Sequence, residues 1–562
     1  MKYLIIGAVA GGASTAARLR RLDEHAEIVI FERGQYISYA NCGLPYYIGD
    51  VIEDRNKLFV QTAASFAARF KIDVRVRTEV TAIDVAAKTI RAVDLKTGDE
   101  YYESYDRLVL SPGANPVVPP FPGVELDGIF TIRNVSDTDY IKAYVNRLSV
   151  RKAVVIGAGF IGLEMAENLH HLGLEVSVIE SGDQILAPVD YPIAAMAQQH
   201  LRAKGISLFL NASVEGFTKK GDQIIVDLEE QEALTADIVI LSIGVKPDTF
   251  LAESAGLKTG TAGGILVNEF LQTSVPDIYA IGDAIEFENP ISRKPMVTCL
   301  AGPANKQGRI CAGNLVFGNK YSYQGSINTA ILKLFDLNLG VTGMAAKHLR
   351  RNHIDHVVST IHGNSHAAYY PGAQLMTIQI AFSPANGLLL GAQVIGKAGV
   401  DKRLDLLAAV IKREGSIYDL MEIEHAYAPP FSSAKDPVNM AGFVADNILT
   451  GRLKLVQCGD IAAIDEDHIL LDVRTEAEYE AGTIPGAVNI PLDELRERLD
   501  EIPDDQTVYI FCQQGMRGYL AQRILIQAVA NKVVNLSGGY LLWKNYYKEK
   551  TILESEMSGL SI

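Results

Sequence analysis

Ala153-Val-Val-Ile156-Gly157-Ala-Gly159-Phe-Ile-Gly162 is the stretch that decides how this chain folds. An apolar, β-branched run reads as a buried strand. The three glycines read as a tight turn open to close backbone approach, and the residues to about Leu172 as a helix. Glu175 to Ile179 reads as a second strand, with Glu180 at its end. In such a βαβ unit the helix N-terminus offers unpaired amides to a pyrophosphate, and the terminal acid accepts hydrogen bonds from a ribose diol while repelling a 2′-phosphate. Gly157, Gly159, Gly162 and Glu180 are therefore expected to hold NAD(H). Ser181-Gly-Asp183, with no neighbouring Arg, favours NADH and leaves NADPH open.

Further toward the N-terminus the pattern recurs. Lys2-Tyr-Leu-Ile-Ile6 runs into Gly7-Ala-Val-Ala-Gly11-Gly12, a helix from about Ala13 to Leu22, a strand from Ile28 to Phe31 and then Glu32. Val9 stands where the middle glycine would be, so this copy is the looser one and a bare glycine-rich turn is its alternative. Two more signatures lie at Leu108-Val-Leu-Ser-Pro-Gly113 and at Thr273-Ser-Val-Pro-Asp-Ile-Tyr-Ala-Ile-Gly282-Asp283, where a buried acid suits a ribityl hydroxyl. The order is a first nucleotide half, an inserted nucleotide domain and a return to the first half. It resembles the two-dinucleotide-binding flavoproteins over about residues 1–445. The resemblance implies FAD held by Gly7, Ala8, Gly11, Gly12, Glu32, Arg33, Gly113, Gly282 and Asp283, and NADH held by the inserted domain, Gly244 included.

Composition narrows the rest. At 562 residues the chain has room for about three to five domains. A net charge of −15 argues against nucleic acid as a partner, because phosphate binding needs a broad basic field. No run of 18 apolar residues occurs and the N-terminus enters a strand directly, so neither a membrane partner nor a signal peptide is expected. Cys42, Cys299, Cys311, Cys458 and Cys512 form no CxxC pair; the reading is a reducing, cytoplasmic setting without a disulfide framework. No metal is expected.

Cys42 lies in Ser38-Tyr-Ala-Asn-Cys-Gly-Leu-Pro-Tyr46. Glutathione-reductase-like flavoproteins carry a C-x-x-x-x-C pair and a C-terminal His-Pro; neither is present. Peroxide- and oxygen-reducing relatives carry a His in the first glycine loop, where this chain has Ala10, which argues against peroxide chemistry and leaves an oxidase open. The Ser38–Tyr46 motif resembles that of coenzyme A-disulfide reductases. A lone redox cysteine must find its second sulfur on the substrate. The resemblance therefore implies that Cys42 is a nucleophile forming a mixed disulfide with coenzyme A. It also implies CoA contacts at Ser38, Asn41, Lys71, Asn305 and Lys435. Tyr369 and Tyr427 would act as acid and hydrogen-bond donors beside the cysteine of a second subunit, with Tyr370 the alternative to Tyr369. Ser14, Arg18 and Arg21 fall at i, i+4 and i+7, one helix face that could grip CoA phosphates or simply a solvated basic face.

Residues from about 331 to 445 alternate polar and apolar through Gln374-Leu-Met-Thr-Ile-Gln-Ile-Ala-Phe382, resembling the α+β interface domain of the same family and implying a homodimer with composite sites. After a linker the pattern restarts. His468-Ile-Leu-Leu-Asp472, Asp472-Val-Arg-Thr, Thr507-Val-Tyr-Ile-Phe-Cys512-Gln-Gln-Gly-Met-Arg517 and Leu536-Ser-Gly-Gly-Tyr together resemble a rhodanese domain, with Thr483 where a His is common. A cysteine between a buried strand and a helix start receives amides and the positive helix end, which stabilise a thiolate or persulfide. Cys512, with loop residues Gln513, Gly515 and Arg517, is the second expected nucleophile. Cys299, Cys311 and Cys458 read as small buried residues or spectators.

The fold class is thus α/β: two nested Rossmann-like dinucleotide-binding domains (1–115 with 247–330, and 116–246), an α+β dimerisation domain (331–445), a linker (446–454) and an α/β rhodanese domain (455–552). The expected activity is FAD- and NAD(P)H-dependent reduction of CoA persulfide, polysulfide and CoA disulfide, with an NADH oxidase or a sulfur-carrying redox sensor as alternatives.

Overall fold

The computed structural model describes residues 1–558 apart from 148, 464–467 and 529–531. They fall into two compact units, Met1–Ile179 with Ala212–Asn328, and Glu180–Asn211 with Thr329–Ile562.

In the first unit Lys2–Ile6 lies parallel between Glu27–Glu32 and Arg107–Leu110, with Asp73–Val76 and Ile278–Ala280 completing the sheet. Leu4, Ile5, Val29, Ile30, Leu108 and Val109 are all buried, on both sides of the sheet. A parallel sheet covered on both faces needs continuous apolar strands, which is the pattern the sequence displays. Helix Ala10–Leu22 packs on Ala301–Phe317. It starts three residues before the expected Ala13, because Gly11 and Gly12 belong to its first turn. A Cβ on Gly12 would fall 1.9 Å from the Gly7 carbonyl oxygen, so these glycines serve close approach and do not interrupt the helix.

A second parallel sheet sets Lys152–Ile156 between Glu175–Glu180 and Ile238–Leu241, with Ile129–Thr131 beyond. The chain passes into and out of this region through Ala114–Pro116 and Val245–Pro247, which pair antiparallel. Insertion of one nucleotide fold into another requires two crossings, and here they run side by side.

In the second unit an antiparallel sheet runs Ala330–Leu334, Leu337–Gly343, Leu389–Gly396, Leu375–Phe382, Val357–Asn364. Helices Val400–Lys412 and Pro437–Leu449 pack on it. Among the polar positions of these strands, Thr377, Gln379 and Gln393 are buried along with their apolar neighbours. Their polar groups are used internally: Gln379 Nε2 and Gln393 Nε2 both donate to Asp190 Oδ2 at 2.6 Å. A further parallel sheet, ordered Leu455–Val456, Val533–Leu536, Thr507–Phe511, His468–Asp472, Val488–Asn489, carries helices Met516–Ala528 and Gly539–Ser558. The last of these packs on helix Tyr191–Ala203, where Gln198 Nε2 donates to the buried Glu549 carboxylate at 2.8 Å. No described helix is long and apolar enough to cross a membrane.

Candidate functional site

The first glycine of each turn sits where only glycine fits, whereas at Gly159 a Cβ would meet open space. At Gly7 (φ +96°) a Cβ would lie 2.0 Å from the Ser111 carbonyl oxygen, and at Gly157 (φ +100°) 2.5 Å from that of Ser242. Gly162 repeats the approach of Gly12, a Cβ falling 2.0 Å from the Gly157 carbonyl oxygen. Two helix N-termini are thereby brought close over strand ends, which is the cradle a pyrophosphate requires. Glu32 is fixed at its strand end by the amides of Ala8 (3.0 Å) and Gly34 (2.8 Å), and Glu180 by that of Gly182 (2.9 Å). Arg33 pairs with Asp248 at 3.2 Å, and the Asp248 amide donates to the carbonyl of Gly113 at 2.9 Å. Gly244, at φ +135°, accepts from the Val117 amide. Gly282 donates its amide to Gln307 at 2.7 Å, and beside it burial pushes the Asp283 carboxyl up to about 6 although Arg133 works the other way. A carboxylate in that setting suits a hydroxyl partner. These residues fit FAD at the first cradle and a nicotinamide dinucleotide at the second.

Cys42 sits on the surface in a single 3₁₀ turn, Asn41–Gly43, at the start of helix Leu44–Ile48. Surrounding protein pushes its thiol up, and the carboxylates of Glu164 and Asp283 add to this. Glu164, two residues beyond Gly162 in helix Phe160–His171, was not singled out by sequence reasoning. Burial pushes its carboxyl up to about 7, and it accepts a hydrogen bond from Tyr46 Oη at 3.4 Å. The signal for it was its position two residues after the third glycine, on a helix that sequence reading treated only as a nucleotide holder. Cys299, read as a small buried residue or a spectator, is not a buried one: it is exposed, with its Sγ 4.0 Å from the Asp283 carbonyl oxygen and its thiol pushed up to about 12 by burial of the sulfur and by Asp283. Cys311 and Cys458 are buried, as expected.

Of the residues expected to meet CoA, Ser14 and Asn305 are joined by a hydrogen bond from the Ser14 hydroxyl to Asn305 Oδ1. Arg18 is half-buried and Arg21 exposed. Ser38, at φ +43°, is tied to the first cradle through its amide, which donates to the Ala8 carbonyl at 2.9 Å. Asn41 is exposed next to Cys42. Lys71 ends helix Ala63–Phe70 in a left-handed conformation and is also exposed, its carbonyl taken by Arg20 at 2.8 Å.

In the second unit Tyr369 Oη and Tyr427 Oη are 3.1 Å apart, both exposed. Tyr370 instead packs its ring against His366. The hydrogen bond with Tyr427 holds the Tyr369 phenol above its ordinary range. The two segments are tied together beneath the surface. Arg403, 1% exposed, donates to Asp436 Oδ2 at 2.7 Å and to the Ser365 carbonyl at 2.9 Å, and Ser432 donates to Asp436 at 2.6 Å. Ser365 leads into Tyr369, and Asp436 follows exposed Lys435 in the loop from Tyr427.

Cys512 ends strand Thr507–Phe511 just before helix Met516–Ala528 and is buried. The Gly515 amide, at φ +114°, donates to its Sγ at 3.1 Å, the beginning of a cradle for a charged sulfur. Below the loop Arg474 and Asp472 form a buried pair; Arg474 Nη1 reaches Gln513 Oε1 at 3.3 Å, and Thr483 donates to Asp472 at 2.8 Å. Arg517 is not a free cation: Glu478 takes both its terminal nitrogens at 2.7 Å, and that pairing holds Glu478 down to about 2.

A thiol beside a dinucleotide cradle, with no second thiol joined to it, is an arrangement suited to a thiol-dependent oxidoreductase that uses bound nucleotides. The chain belongs to the pyridine nucleotide-disulphide oxidoreductase family, whose model matches residues 1–304. The dimerisation domain of that family matches residues 329–437 and a rhodanese-like domain residues 460–546. The coenzyme A disulfide reductase of Staphylococcus haemolyticus is 35% identical over 449 residues, which is 80% of this chain and 100% of that protein. Among solved structures, the reduced Bacillus anthracis CoADR-RHD is 46% identical, covers 98% of both chains and superposes with a TM-score of 0.95. An NAD-dependent persulfide reductase from A. fulgidus is 36% identical over 97% of this chain and 100% of its own, with a TM-score of 0.91.

Proposed function

We infer that this protein is a flavoprotein that uses NAD(P)H to reduce coenzyme A disulfide and coenzyme A persulfide, with its rhodanese domain supplying sulfane sulfur. The observation that carries the reading is that Cys42 and Cys512 are both unpaired thiols, one beside a nucleotide cradle and one in an amide-lined loop. Relatives named for coenzyme A disulfide and persulfide reduction support it.

Cys512 attacks the outer sulfur of a polysulfide or thiol persulfide, the S–S bond breaks, and the shortened thiolate leaves; Cys512 now carries a persulfide. The CoA thiolate attacks that outer sulfur, restoring the Cys512 thiolate and giving CoA persulfide. The Cys42 thiolate attacks the CoA-bound sulfur, forming a Cys42–CoA disulfide and expelling hydrosulfide. FAD held at the first cradle and a nicotinamide held at the second would together supply the electron pair needed to split the Cys42–CoA disulfide into two thiolates. Tyr369 and Tyr427 donate hydrogen bonds to a leaving thiolate. Ser14, Arg18, Arg21, Ser38, Asn41, Lys71, Asn305 and Lys435 are assigned to CoA, and the cofactors to the two cradles. The domain limits are those given above, with residues 331–445 forming a homodimer whose subunits share active sites, working in a reducing cytoplasm.

Two variants test the scheme. Cys42→Ser is expected to abolish NADH oxidation by CoA disulfide while leaving sulfur transfer from polysulfide to cyanide intact; Cys512→Ser is expected to do the reverse and also to slow reduction of polysulfide. A Cys512→Ser enzyme that reduces polysulfide as fast as the wild type would sink the relay.

A further inference from the structure

The strand Val357–Asn364 closes one side of the antiparallel sheet, and its outer edge is not left open. Gln457 Nε2 donates to the Val358 carbonyl at 3.1 Å, and the Thr360 amide donates to Ser537 Oγ at 3.1 Å. An unpaired strand edge is a row of unsatisfied groups, and here residues 457 and 537 of the rhodanese-like fold satisfy it. His362, further along the strand, reaches the same place. Its Nε2 lies 2.8 Å from the Gly538 carbonyl oxygen and its Nδ1 2.8 Å from Thr377 Oγ1, directly across the ladder. A carbonyl only accepts, so Nε2 carries the proton and Nδ1 accepts from the threonine hydroxyl, one defined neutral tautomer. Burial agrees with this, pushing the imidazole down to about 4.

The turn that His362 grips is the one beneath the Cys512 loop. Gly538 and Gly539 both have positive φ, at +72° and +58°. A Cβ on Gly539 would fall 2.5 Å from the Cys512 carbonyl oxygen and 2.9 Å from the Gln514 nitrogen. The amides of Tyr540 and Leu541 then donate to the carbonyls of Cys512 (2.8 Å) and Gln513 (3.1 Å). At its far end the same strand leads into Ser365, whose carbonyl Arg403 holds, and on toward Tyr369. One strand therefore ties the loop carrying one thiol to the segment carrying the tyrosine pair.

We propose that His362 is a positioning residue for sulfur transfer: by holding the Ser537–Gly539 turn against the interface sheet, it fixes the conformation of the Cys512 loop from which sulfur passes to coenzyme A, so the rhodanese domain works docked on that sheet and not as a swinging tether. The proposal rests on the relay inferred above. His362→Leu removes the donor at similar volume, and His362→Gln restores an amide donor of similar reach. In the full-length holoenzyme, His362→Leu slows NADH-coupled sulfide release from polysulfide about tenfold, a displacement effect. CoA disulfide reduction, and sulfur transfer from Cys512 to free cyanide, stay within about twofold of wild type, because neither depends on the docked geometry. His362→Gln recovers most of the coupled rate. A His362→Leu enzyme with the wild-type coupled rate overturns the proposal. So does one in which the coupled and cyanide rates fall together, since that is local damage to the loop. Failure of the relay itself is distinguishable: the wild-type enzyme would load Cys512 and reduce CoA disulfide yet release no sulfide from polysulfide.

Discussion

Glu164 sets a condition on Cys42 that the cysteine motif does not reveal. Its carboxyl, pushed up to about 7 by burial, is half ionised near neutrality, and the ionised form raises the Cys42 thiol. Removing that charge must lower the thiol. Glu164→Gln is therefore expected to move the pH midpoint of Cys42 alkylation by iodoacetamide downward; an unmoved midpoint would show that the carboxylate is not felt at the sulfur. The thiols themselves were legible, since each sits in a local motif of contiguous residues. Glu164 with Tyr46, and Glu478 with Arg517, were not, because each pair joins positions 39 or more residues apart and neither has a periodic signature.

Between elements, the tyrosine pair depends on a buried knot. Asp436 is fully buried; desolvation works against its charge, but hydrogen bonds from Arg403 and Ser432 prevail and hold its carboxyl below the usual range. A depressed carboxylate contributes stability above its unfolded pKa and loses it as pH falls through the folded value, so this knot weakens only under acid. Asp436→Asn leaves Arg403 buried without its counter-charge and is expected to cost about 3–5 kcal/mol in urea unfolding. Pairing Arg403→Met with Asp436→Leu should recover most of that loss. A single variant as stable as wild type would mean the pair is not holding the loop. The strands of this sheet were legible in their alternation, but the burial of Gln379 and Gln393 was not: alternation marks two different faces and does not distinguish water from a buried carboxylate such as Asp190 as the polar partner.

At the scale of the whole molecule, the order of modules was plain in the sequence because glycine turns and strand ends recur in a fixed arrangement. The docking of the rhodanese-like sheet was hidden, since Gln457, Ser537 and His362 make it with isolated polar contacts. If active sites are shared across a dimer, Cys42→Ser and Tyr427→Phe chains should each be impaired alone, the latter by about 10²-fold or more for loss of an acid. Mixed dimers should then regain CoA disulfide reduction; no recovery on mixing would place the tyrosines and the cysteine in one subunit's site. In the proposed reaction Cys42 reduces sulfur brought to it on coenzyme A. That step is tested most directly by following anaerobic NADH consumption with CoA persulfide or CoA disulfide at equal concentration while sulfide is measured. Turnover is expected with both, faster on the persulfide, where sulfide is released stoichiometrically with NADH oxidised. NADH consumption that requires oxygen and ignores both CoA substrates would contradict it.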